Sequence, residues 1–518
     1  MKKNRKNKFI KINKKFWLKF KEVESKKFLL VETQSHPVIN HSNAVAAKIV
    51  AQAKNWRIAW IKFNYTNEEL MRSYSPNSLF ISFPKINFLE KFYFVLLSTF
   101  YYFYYVLIKK DLLSFKFNKI PYGDFVYDCY LSVFSLATLH CLDFRIITIF
   151  YRVLINDKKA RFVFNNYPVK AILVSHHIGL KSGPLSRVAM QKKIPVYWKG
   201  GGHEIIAMSV FNSLKQMYNY ALKPSKKIVD LLAKKHSKSV EKDFEKFINQ
   251  VDNSYYGALS AGYDNVVFSE VTRESFIKKM KLDISKKNIF VMLHAFNDYP
   301  HSHYKEMLFK DYYDWFIQTY KFALNDKSKN WIFKEHPGNK YYPTKDLNLN
   351  KKMKNLPSHM RFISQSSKIK ASTVLNVADM IVTCTGTAGV EMPALKGIPS
   401  IIAGNTFYDH LGFTIEPKSK KEYFGMLKNL LLKKLSTKQQ LRAKCCYLYL
   451  KKYCMMPFSS GPAITMEESQ KGQKLEKTYY QRVLKVYKEK ANLIQAEFNE
   501  YIKNIKKQDF HHLNKMPS

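Results

Sequence analysis

Cysteine is scarce in this sequence and follows no motif. Of 518 residues only six are cysteine, and no two form a C-x-x-C pair. A chain of this length can bury two ordinary apolar cores without covalent cross-links. The scarcity therefore excludes a small disulfide-stapled scaffold and fits a reducing compartment such as the cytosol.

Acidic residues are also few. There are 40 of them against 86 lysines and arginines, which gives a formal charge of +46. Such an excess is typical of proteins with polyanionic partners, although an AT-rich coding sequence and a solvated lysine surface explain it equally well. No recognised nucleic-acid module is present, and the aromatic residues sit mainly in apolar runs. We therefore expect no nucleic-acid partner.

Long hydrophobic runs are nearly absent. Lysines interrupt the N-terminal stretch MKKNRKNKFIKINKKFWLKF where a signal peptide needs an unbroken apolar segment, so residues 1–27 are predicted to be a retained basic arm. The one candidate span is Phe92 to Ile108, which at about 17 residues is at the lower limit for crossing a bilayer. Its tyrosines, serine and threonine favour a buried or interfacial helix over a span.

Strand-like and helix-like segments alternate along most of the chain. KFLLVE, WRIAWIKF and AILVS read as strands separated by helices, and the same rhythm restarts at NIFVML and continues through NWIFK, MRFIS, DMIVTC and PSIIAG. This predicts an α/β protein with two parallel-sheet domains, at 28–270 and 286–435, facing a cleft. Residues 436–518 have no strand-like run and are predicted to form a basic helical tail.

Three loops of the second domain carry polar side chains directly after a strand, where α/β proteins usually place their chemistry. They are LHAFNDYPHSH, with His294, Asn297, Asp298, His301 and His303; KEHPGNK, with Lys334, Glu335 and His336; and CTGTAGVE, with Thr385, Gly386, Thr387, Gly389 and Glu391.

The glycine loop is typical of a phosphate site. Gly386 and Gly389 allow close approach of a ligand, and free N–H groups at the following helix start form an anion site to which threonine hydroxyls add. Glu391 is a candidate for hydrogen bonds to a ribose diol, or is a plain solvent-facing helix residue. Pro393 predicts a short or kinked helix.

The histidine of KEHPGNK has a clear physical reading. Pro337 biases His336 toward an extended conformation at the strand end. There, with Lys334 two residues earlier, its imidazole can donate to a phosphate leaving group and stabilise charge that develops as a glycosidic bond breaks. The alternative is a turn histidine bonded to a carbonyl, and the neighbouring TGT loop leads us to favour the ligand role.

No metal or cofactor is expected. The pairs HPVINH, SHHIG and PHSH lack the spacings and partners of recognised zinc signatures. GGGHE is neither a P-loop nor a dinucleotide fingerprint, which argues against kinase and dehydrogenase functions.

Together, IPYGDFVYDCYL, LHAFNDYP, NWIFKEHPGN and TCTGTAGVEMPALKGIPSIIAGNTFYDHLGFT resemble bacterial capsule and surface polysaccharide biosynthesis proteins, and more distantly polysialyltransferases and capsule Kdo transferases. The resemblance is dense over 288–417 and patchy over 28–202. It implies a GT-B glycosyltransferase with two Rossmann-like domains, the acceptor side N-terminal and the nucleotide-sugar side C-terminal.

The resemblance also implies roles for individual residues. His336 matches the histidine that contacts the donor phosphate, Thr385 and Thr387 match hydroxyl residues beside it, and Glu391 matches an acid at the ribose, although Pro393 departs from the pattern. No motif identifies the catalytic acid or base. The candidates are Glu32 at the end of the first strand, then Asp124, Asp128 and Asp298.

The leading hypothesis is a cytoplasmic glycosyltransferase, peripheral at the inner membrane, that moves a sugar from a nucleotide-sugar to a glycan or lipid-linked acceptor. Kdo or another acidic sugar from a CMP donor is one candidate. A second hypothesis is transfer of glycerol or ribitol phosphate from a CDP-linked donor. A third is a non-enzymatic basic scaffold that binds anionic glycan or an anionic membrane surface.

Overall fold

The computed structural model describes residues 2–218, 221–249, 271–302, 306–367, 369, 371–430 and 433–508. The chain divides into two units. The first comprises residues 1–126, 142–217 and 453–515, and the second comprises 127–141, 218–452 and 516–518.

The strands, numbered in chain order, are β1 (Phe28–Val31), β2 (Arg57–Lys62), β3 (Leu79–Ser82), β4 (Lys116–Phe117), β5 (Ile120–Pro121), β6 (Val169–Val174), β7 (Val196–Phe211), β8 (Asn288–Met292), β9 (Asn330–Lys334), β10 (Met360–Ile363), β11 (Met380–Thr383), β12 (Ser400–Ile402), β13 (Thr414–Ile415) and β14 (Met456–Phe458).

The α-helices are Lys2–Trp17, Pro37–Lys54, Glu68–Arg72, Phe88–Tyr101, Gly123–Phe134, Ile146–Asn166, Ser182–Gln191, Leu214–Met217, Lys226–Lys235, Ser237–Asn249, Arg273–Met280, Tyr312–Asn325, Leu349–Lys352, Ala371–Val377, Ala388–Lys396, Lys420–Lys428, Thr437–Leu448, Met466–Gln470, Glu476–Glu489 and Ala491–Gln508. Tyr102–Ile108 and Tyr449–Tyr453 are π-helical, and Leu112–Ser114, Pro337–Lys340 and Gly472–Leu475 are 3-10 turns.

Each unit is built on a six-stranded sheet with the same strand order. The first sheet runs β3-β2-β1-β6-β7-β14 and the second runs β10-β9-β8-β11-β12-β13. All pairs are parallel except β14 with β7, which is antiparallel. The α/β prediction with two Rossmann-like domains is therefore confirmed, since both sheets show the doubly wound order.

In both sheets the strand order reverses direction beside the first strand. The reversal lies between β1 and β6 in the first unit and between β8 and β11 in the second. Ligands of open α/β sheets bind at this switch point, beyond the carboxyl ends of the two strands. The side chains that follow β1, β6, β8 and β11 therefore lie where open α/β sheets bind their ligands.

The predicted basic arm is part of the first core. Lys2–Trp17 is a helix whose Phe9, Phe16 and Trp17 are buried, and Phe20 beyond it is buried as well. The Trp17 indole N–H donates to Tyr487 Oη at 2.8 Å. The arm prediction was wrong because the lysines occupy one helix face while apolar residues at helical spacing occupy the other.

Two further boundaries need correction. The predicted tail at 436–518 is divided, because Thr437–Leu448 belongs to the second unit whereas the chain from Tyr453 returns to the first and adds strand β14. Residues 127–141 and 218–249, both assigned to the N-terminal domain, belong to the second unit. The ends of the predicted domains at 250–270 and 509–518 lie outside the described residues.

The candidate membrane segment is a helix that begins at Phe88, four residues earlier than predicted, and ends as a π-helix at Ile108. By length and composition it is able to cross a membrane, and 22% of its apolar 18-residue stretch is buried. Its buried side chains, among them Phe94, Ser98, Tyr102 and Val106, recur every four residues. One face therefore packs on the protein while the other is exposed.

Candidate functional site

The switch point of the second unit is held together by His294. This histidine follows β8, and its Nε2 accepts the backbone N–H of Thr385, beyond β11, at 3.1 Å. Thr383 Oγ1 lies 3.3 Å from the same nitrogen and accepts the Gly386 N–H at 3.2 Å. Burial lowers the pKa of His294 to about 3, with His336 nearby adding to the effect, so the ring is neutral.

Two tyrosines fix this loop from either side. Tyr312 stacks on the His294 ring, with centroids 4.1 Å apart, and its Oη lies 2.9 Å from Thr385 Oγ1. Tyr408 Oη donates to the Gly386 carbonyl at 2.5 Å. A Cβ at Gly389 would stand 2.2 Å from the same Tyr408 oxygen, so only glycine fits there.

His336 presents an N–H group at the end of β9. Its backbone is extended, and its Nδ1 accepts the Gly338 N–H at 3.0 Å as the cap of a 3-10 turn. The proton of the neutral ring is therefore on Nε2, for which the described residues offer no acceptor. The side chain is exposed, yet surrounding protein lowers its pKa, with Lys334 adding to this and Asp298 opposing it. His336 is thus a neutral donor.

The rest of the KEHPGNK loop has structural partners. Glu335 is buried, and its carboxylate accepts the Asn339 amide at 3.1 Å and the Gln365 backbone N–H at 2.9 Å. Lys334 is partly buried, and desolvation lowers its pKa while Glu335 raises it. These contacts hold the loop so that His336 and Lys334 leave the same strand end.

The two threonines of the glycine loop differ. Thr385 is buried and its hydroxyl pairs with Tyr312, so the fold already uses it. Thr387 is exposed at the N-cap of Ala388–Lys396, where its side chain makes no capping bond. Of the two predicted hydroxyls, Thr387 is the one available to a ligand.

Glu391 lies inside the second unit. Only 5% of it is exposed, and its charge acts on Tyr447 and Lys451. Burial lowers the pKa of Lys451 and Glu391 raises it, as expected for an acid beside a base in a shielded site. The predicted alternative of a solvent-facing glutamate is therefore wrong.

At the switch point of the first unit the central group is Glu32. Its Oε2 accepts the Ser175 backbone N–H and Oγ, at 3.2 and 3.1 Å, from the end of β6. Its Oε1 accepts the Gln34 amide at 2.5 Å and the Ser182 hydroxyl. Burial nevertheless raises the pKa of Glu32, since the hydrogen bonds only partly offset desolvation. A raised pKa makes this carboxylate a stronger base.

Lys199 is a buried cation in β7 of the same unit. Its Nζ donates to Ser42 Oγ at 2.6 Å and to the Gly201 carbonyl at 2.9 Å. Burial lowers the pKa of Lys199 to about 7, and Glu32 opposes that shift. Lys199 in turn lowers the pKa of Glu32, so the two groups titrate as neighbours.

The other candidate acids differ in environment. Asp124 forms a two-bond ion pair with Arg187, at 2.9 and 2.7 Å, which neutralises it. Asp128 is buried in the second unit, where it accepts the backbone N–H groups of His301 and Ser302 and the His301 side chain at 2.8 Å. Both carboxylates therefore have structural partners. Asp298 is exposed and raises the pKa of His336.

Within the described residues, no group of three or more His, Cys, Asp or Glu side chains is arranged to hold a metal ion. His303, one of the histidines weighed for a metal role, lies outside those residues.

Several residues at these strand ends were missed from the sequence. Ser175 follows β6, and Thr383 is the last residue of β11. A comparison of each strand end with the strand end across the switch point would have found both residues. Lys199 had a signal too, because a lysine inside the apolar run VYWKG is unusual in a buried strand. Tyr312 and Tyr408 had none, since their roles depend on tertiary packing.

No protein-family model matches the chain, and no curated protein matches it either. Similar solved structures include UDP-GlcNAc 2-epimerase from Neisseria meningitidis bound to UDP-GlcNAc, with a TM-score of 0.25, 10% identity and coverage of 82% of this chain and 98% of that one. MurG of Acinetobacter baumannii has a TM-score of 0.27 and 11% identity, and the match covers 82% of this chain and 98% of that one. The wall teichoic acid polymerase TagF has a TM-score of 0.20 and 11% identity, and the match covers 97% of this chain and 95% of that one. TM-scores this low carry no argument about this chain.

Proposed function

We propose that this chain is a nucleotide-sugar-dependent glycosyltransferase of the GT-B type that acts in capsule or surface polysaccharide synthesis. The observation that carries the proposal is the set of donors beyond β9 and β11. A neutral imidazole N–H on His336, the Lys334 ammonium and the Thr387 hydroxyl are presented at the carboxyl ends of β9 and β11, the two strands that pair with β8. Such a set suits the phosphate of a nucleotide-sugar.

In the reaction, the bond between the anomeric carbon and the donor phosphate breaks while a bond to an acceptor hydroxyl oxygen forms. The departing phosphate gains negative charge, which the His336 N–H and Lys334 stabilise more strongly in the transition state than in the ground state. A neutral imidazole fits this role because it donates a hydrogen bond without losing its own proton.

The acceptor hydroxyl must lose a proton, and Glu32 is the favoured base. Its pKa is raised by burial, unlike that of a solvated carboxylate, and Lys199 keeps it from rising further. The Gln34 amide comes from a loop and can leave Oε1 so that an acceptor proton takes its place. Asp298, exposed in the second unit, is the alternative base.

The donor class rests on the resemblance alone. An acidic sugar such as Kdo carried by CMP is our first candidate, and a glycan or lipid-linked glycan is the acceptor. Direct assay of released nucleotide from UDP-, GDP-, CMP- and CDP-linked donors tests this. Release of CMP with transfer of glycerol or ribitol phosphate would support the second hypothesis, a CDP-linked phosphate transferase. No turnover with any donor would support the third, a non-enzymatic scaffold.

We also propose that an anionic phospholipid surface covers the exposed face of the Phe88–Ile108 helix. Its outer side chains are large and apolar, with exposures of 42 to 79% at Phe88, Leu89, Phe92, Tyr93, Val95, Leu96, Phe100, Phe103, Tyr104 and Ile108. Exposed Lys91 lies in its first turn, and exposed Lys109 and Lys110 follow its end. Apolar side chains bordered by cations complement an anionic bilayer surface.

The neighbouring helix argues against a span. The Phe88–Ile108 helix packs on Ile146–Asn166 through Tyr101 against Phe150, at 6.2 Å, and through an ion pair of Glu90 with Lys158. That neighbour also carries Arg152, Asp157 and Arg161, which a spanning orientation would draw toward hydrocarbon at high cost. A helix lying in the interface leaves these charges in water.

Co-sedimentation with phosphatidylglycerol vesicles tests this attachment. Replacing Phe92, Leu96 and Phe100 with serine should weaken binding about tenfold or more. The matched control replaces Ile284, Tyr342 and Leu493, which are as exposed but lie elsewhere, and should bind normally. Equal binding by both variants, a dimer abolished by the first variant, or resistance to alkaline carbonate would each overturn interfacial attachment.

A further inference from the structure

A cavity of about 320 Å³ in the first unit has no role in the chemistry described above. Its size is typical of small-ligand pockets. It is lined by three cationic, three aliphatic, two aromatic and one amide side chain: Arg152, Lys159, Lys181, Ala160, Leu180, Leu185, Phe63, Phe83 and Asn156. No acidic residue is among them.

The three cations, Arg152, Lys159 and Lys181, form no ion pair with an acid in the described part of the chain. Burial lowers the pKa of Lys181, although the Glu32 carboxylate raises it. Lys158, which immediately precedes Lys159, does pair with Glu90. Lys159 is partly shielded, so its pKa is lowered by desolvation and then by the like charge of Lys91. An anion in the cavity would offset this repulsion.

The aromatic rings give the cavity an apolar wall. The centroids of Phe63 and Phe83 are 5.7 Å apart, and Lys181 Nζ lies 4.9 Å from the Phe63 ring and 4.5 Å from that of Tyr65. Asn156 adds an amide whose N–H group donates to the Leu180 carbonyl at 2.6 Å and whose oxygen remains an acceptor. Flat apolar faces beside polar groups suit a sugar ring, which has both kinds of surface.

The cavity lies beside the proposed base. Lys181 Nζ is 3.3 Å from Tyr65 Oη, and that hydroxyl donates to the carbonyl of Thr33, next to Glu32 in sequence, at 3.1 Å. Ser182, next to Lys181, donates its hydroxyl to Glu32. Burial lowers the pKa of Lys181 and Glu32 raises it, so the carboxylate and this wall of the cavity are close enough to interact electrostatically.

We infer that this cavity is an acceptor subsite that binds a glycan through an anionic group, a carboxylate or a phosphate, on one of its sugars. The inference rests on the proposed function, and it names the substrate class of the first unit. Arg152, Lys159 and Lys181 bind the anionic group, while Phe63 and Phe83 pack on the sugar ring. The anion sets which acceptor is taken, and Glu32 receives the proton of its hydroxyl.

Binding of three matched monosaccharides to the full-length chain tests the inference by ligand-observed NMR. The probes are glucose, glucuronic acid and glucose 6-phosphate. We expect glucuronic acid or glucose 6-phosphate to bind about tenfold or more tightly than glucose, and whichever anion binds better identifies the group. In a variant with Arg152→Gln, Lys159→Gln and Lys181→Gln this preference should disappear.

The control variant carries Lys234→Gln, Lys235→Gln and Lys238→Gln, which remove the same charge from exposed sites in the second unit. It should keep the preference, and a loss there would show that overall charge alone attracts the acids. Phe83→Leu should weaken all three sugars about equally. No preference among the sugars, no binding by any, or binding of inorganic phosphate as tight as that of glucose 6-phosphate would overturn the inference.

The result is separable from the proposed function. Anion-dependent sugar binding without turnover of any nucleotide-sugar would keep the subsite and reject the transferase. Turnover with unchanged acceptor preference in the triple cavity variant would keep the transferase and reject the subsite.

Discussion

The two switch points occupy the same place in two sheets of the same strand order, but their chemistry is opposite. In the first unit a carboxylate, Glu32, bridges the ends of β1 and β6 by accepting hydrogen bonds. In the second a neutral imidazole, His294, bridges β8 and β11, and the His336 imidazole beyond β9 remains available as a donor beside the exposed Asp298. The shared topology fixes where chemistry occurs, and the residue types decide which unit takes a proton and which stabilises an anion.

The largest expected effect comes from removing the free donor of the second unit. His336→Ala should lower turnover about 100-fold or more and change thermal unfolding only slightly, because the side chain is exposed and, within the described residues, its one hydrogen bond caps a short 3-10 turn. The measurement is steady-state kcat beside a melting curve, with His140→Ala, another exposed histidine, as control. Near-normal turnover in a folded His336→Ala protein would remove the phosphate role.

Buried histidines should make the stability of the two units depend on pH in different ways. In the first unit His41 lies between Tyr74 Oη and the Ser460 carbonyl, at 2.9 Å each, and burial lowers its pKa to about 3. The unfolded chain takes up this proton below about pH 6.5 while the folded chain does not, so stability is lost as pH falls. At pH 5 the loss should reach about 2 kcal/mol.

In the second unit, the pKa of His301 is shifted in the opposite direction, so its effect on stability with pH is also opposite. Burial alone would lower the pKa of His301, but Asp128 raises it above its usual 6.5. Its stabilisation is fully present below pH 6.5 and is lost as pH rises through the folded value. Urea unfolding followed from pH 5 to 9 should show the acid-side slope flattened by His41→Gln and the alkaline-side slope flattened by His301→Gln. Unchanged slopes would contradict these assignments.

The two threonines of the glycine loop should separate binding from folding. Thr387→Val removes an exposed hydroxyl and should raise the donor KM about tenfold with little change in melting temperature. Thr385→Val removes the partner of Tyr312 and should cost about 1–3 kcal/mol of stability. If instead Thr385→Val alone raised KM, the buried hydroxyl would be the ligand.

A subtler effect concerns the base. Lys199 lowers the pKa of Glu32, so Lys199→Met should raise that pKa and move the acid limb of the kcat/KM profile to higher pH. Lys170→Met, at an exposed position of β6, is the control. An acid limb that stays in place while the protein remains folded would direct attention to Asp298.

The smallest expected effect is that of chelation. Because side chains and backbone N–H groups are proposed to carry the phosphate, activity should survive exhaustive EDTA treatment. Complete loss, restored by a divalent cation, would instead indicate a metal-assisted transferase.

Much of this comparison was accessible from the sequence. The alternation of apolar runs and helical segments located most of the strands, and the strand-end rule pointed to Glu32, His294 and His336. Short strands escaped, because β13 has two residues and β14 three, too few for a period to show. Partner identities such as Lys199 with Ser42 depend on packing between distant segments, which no local pattern records.

The first unit also has a timing consequence. Strand β14, which completes its sheet, and Tyr487, which accepts the hydrogen bond of the Trp17 indole, both come from the segment after residue 452. The second unit, in contrast, is almost contiguous in sequence. During synthesis the second unit can therefore fold soon after residue 452 emerges, while the first waits with an open sheet edge and an unburied tryptophan. In that interval the nascent chain is exposed to aggregation, and chaperone binding is expected to concentrate on the N-terminal segment.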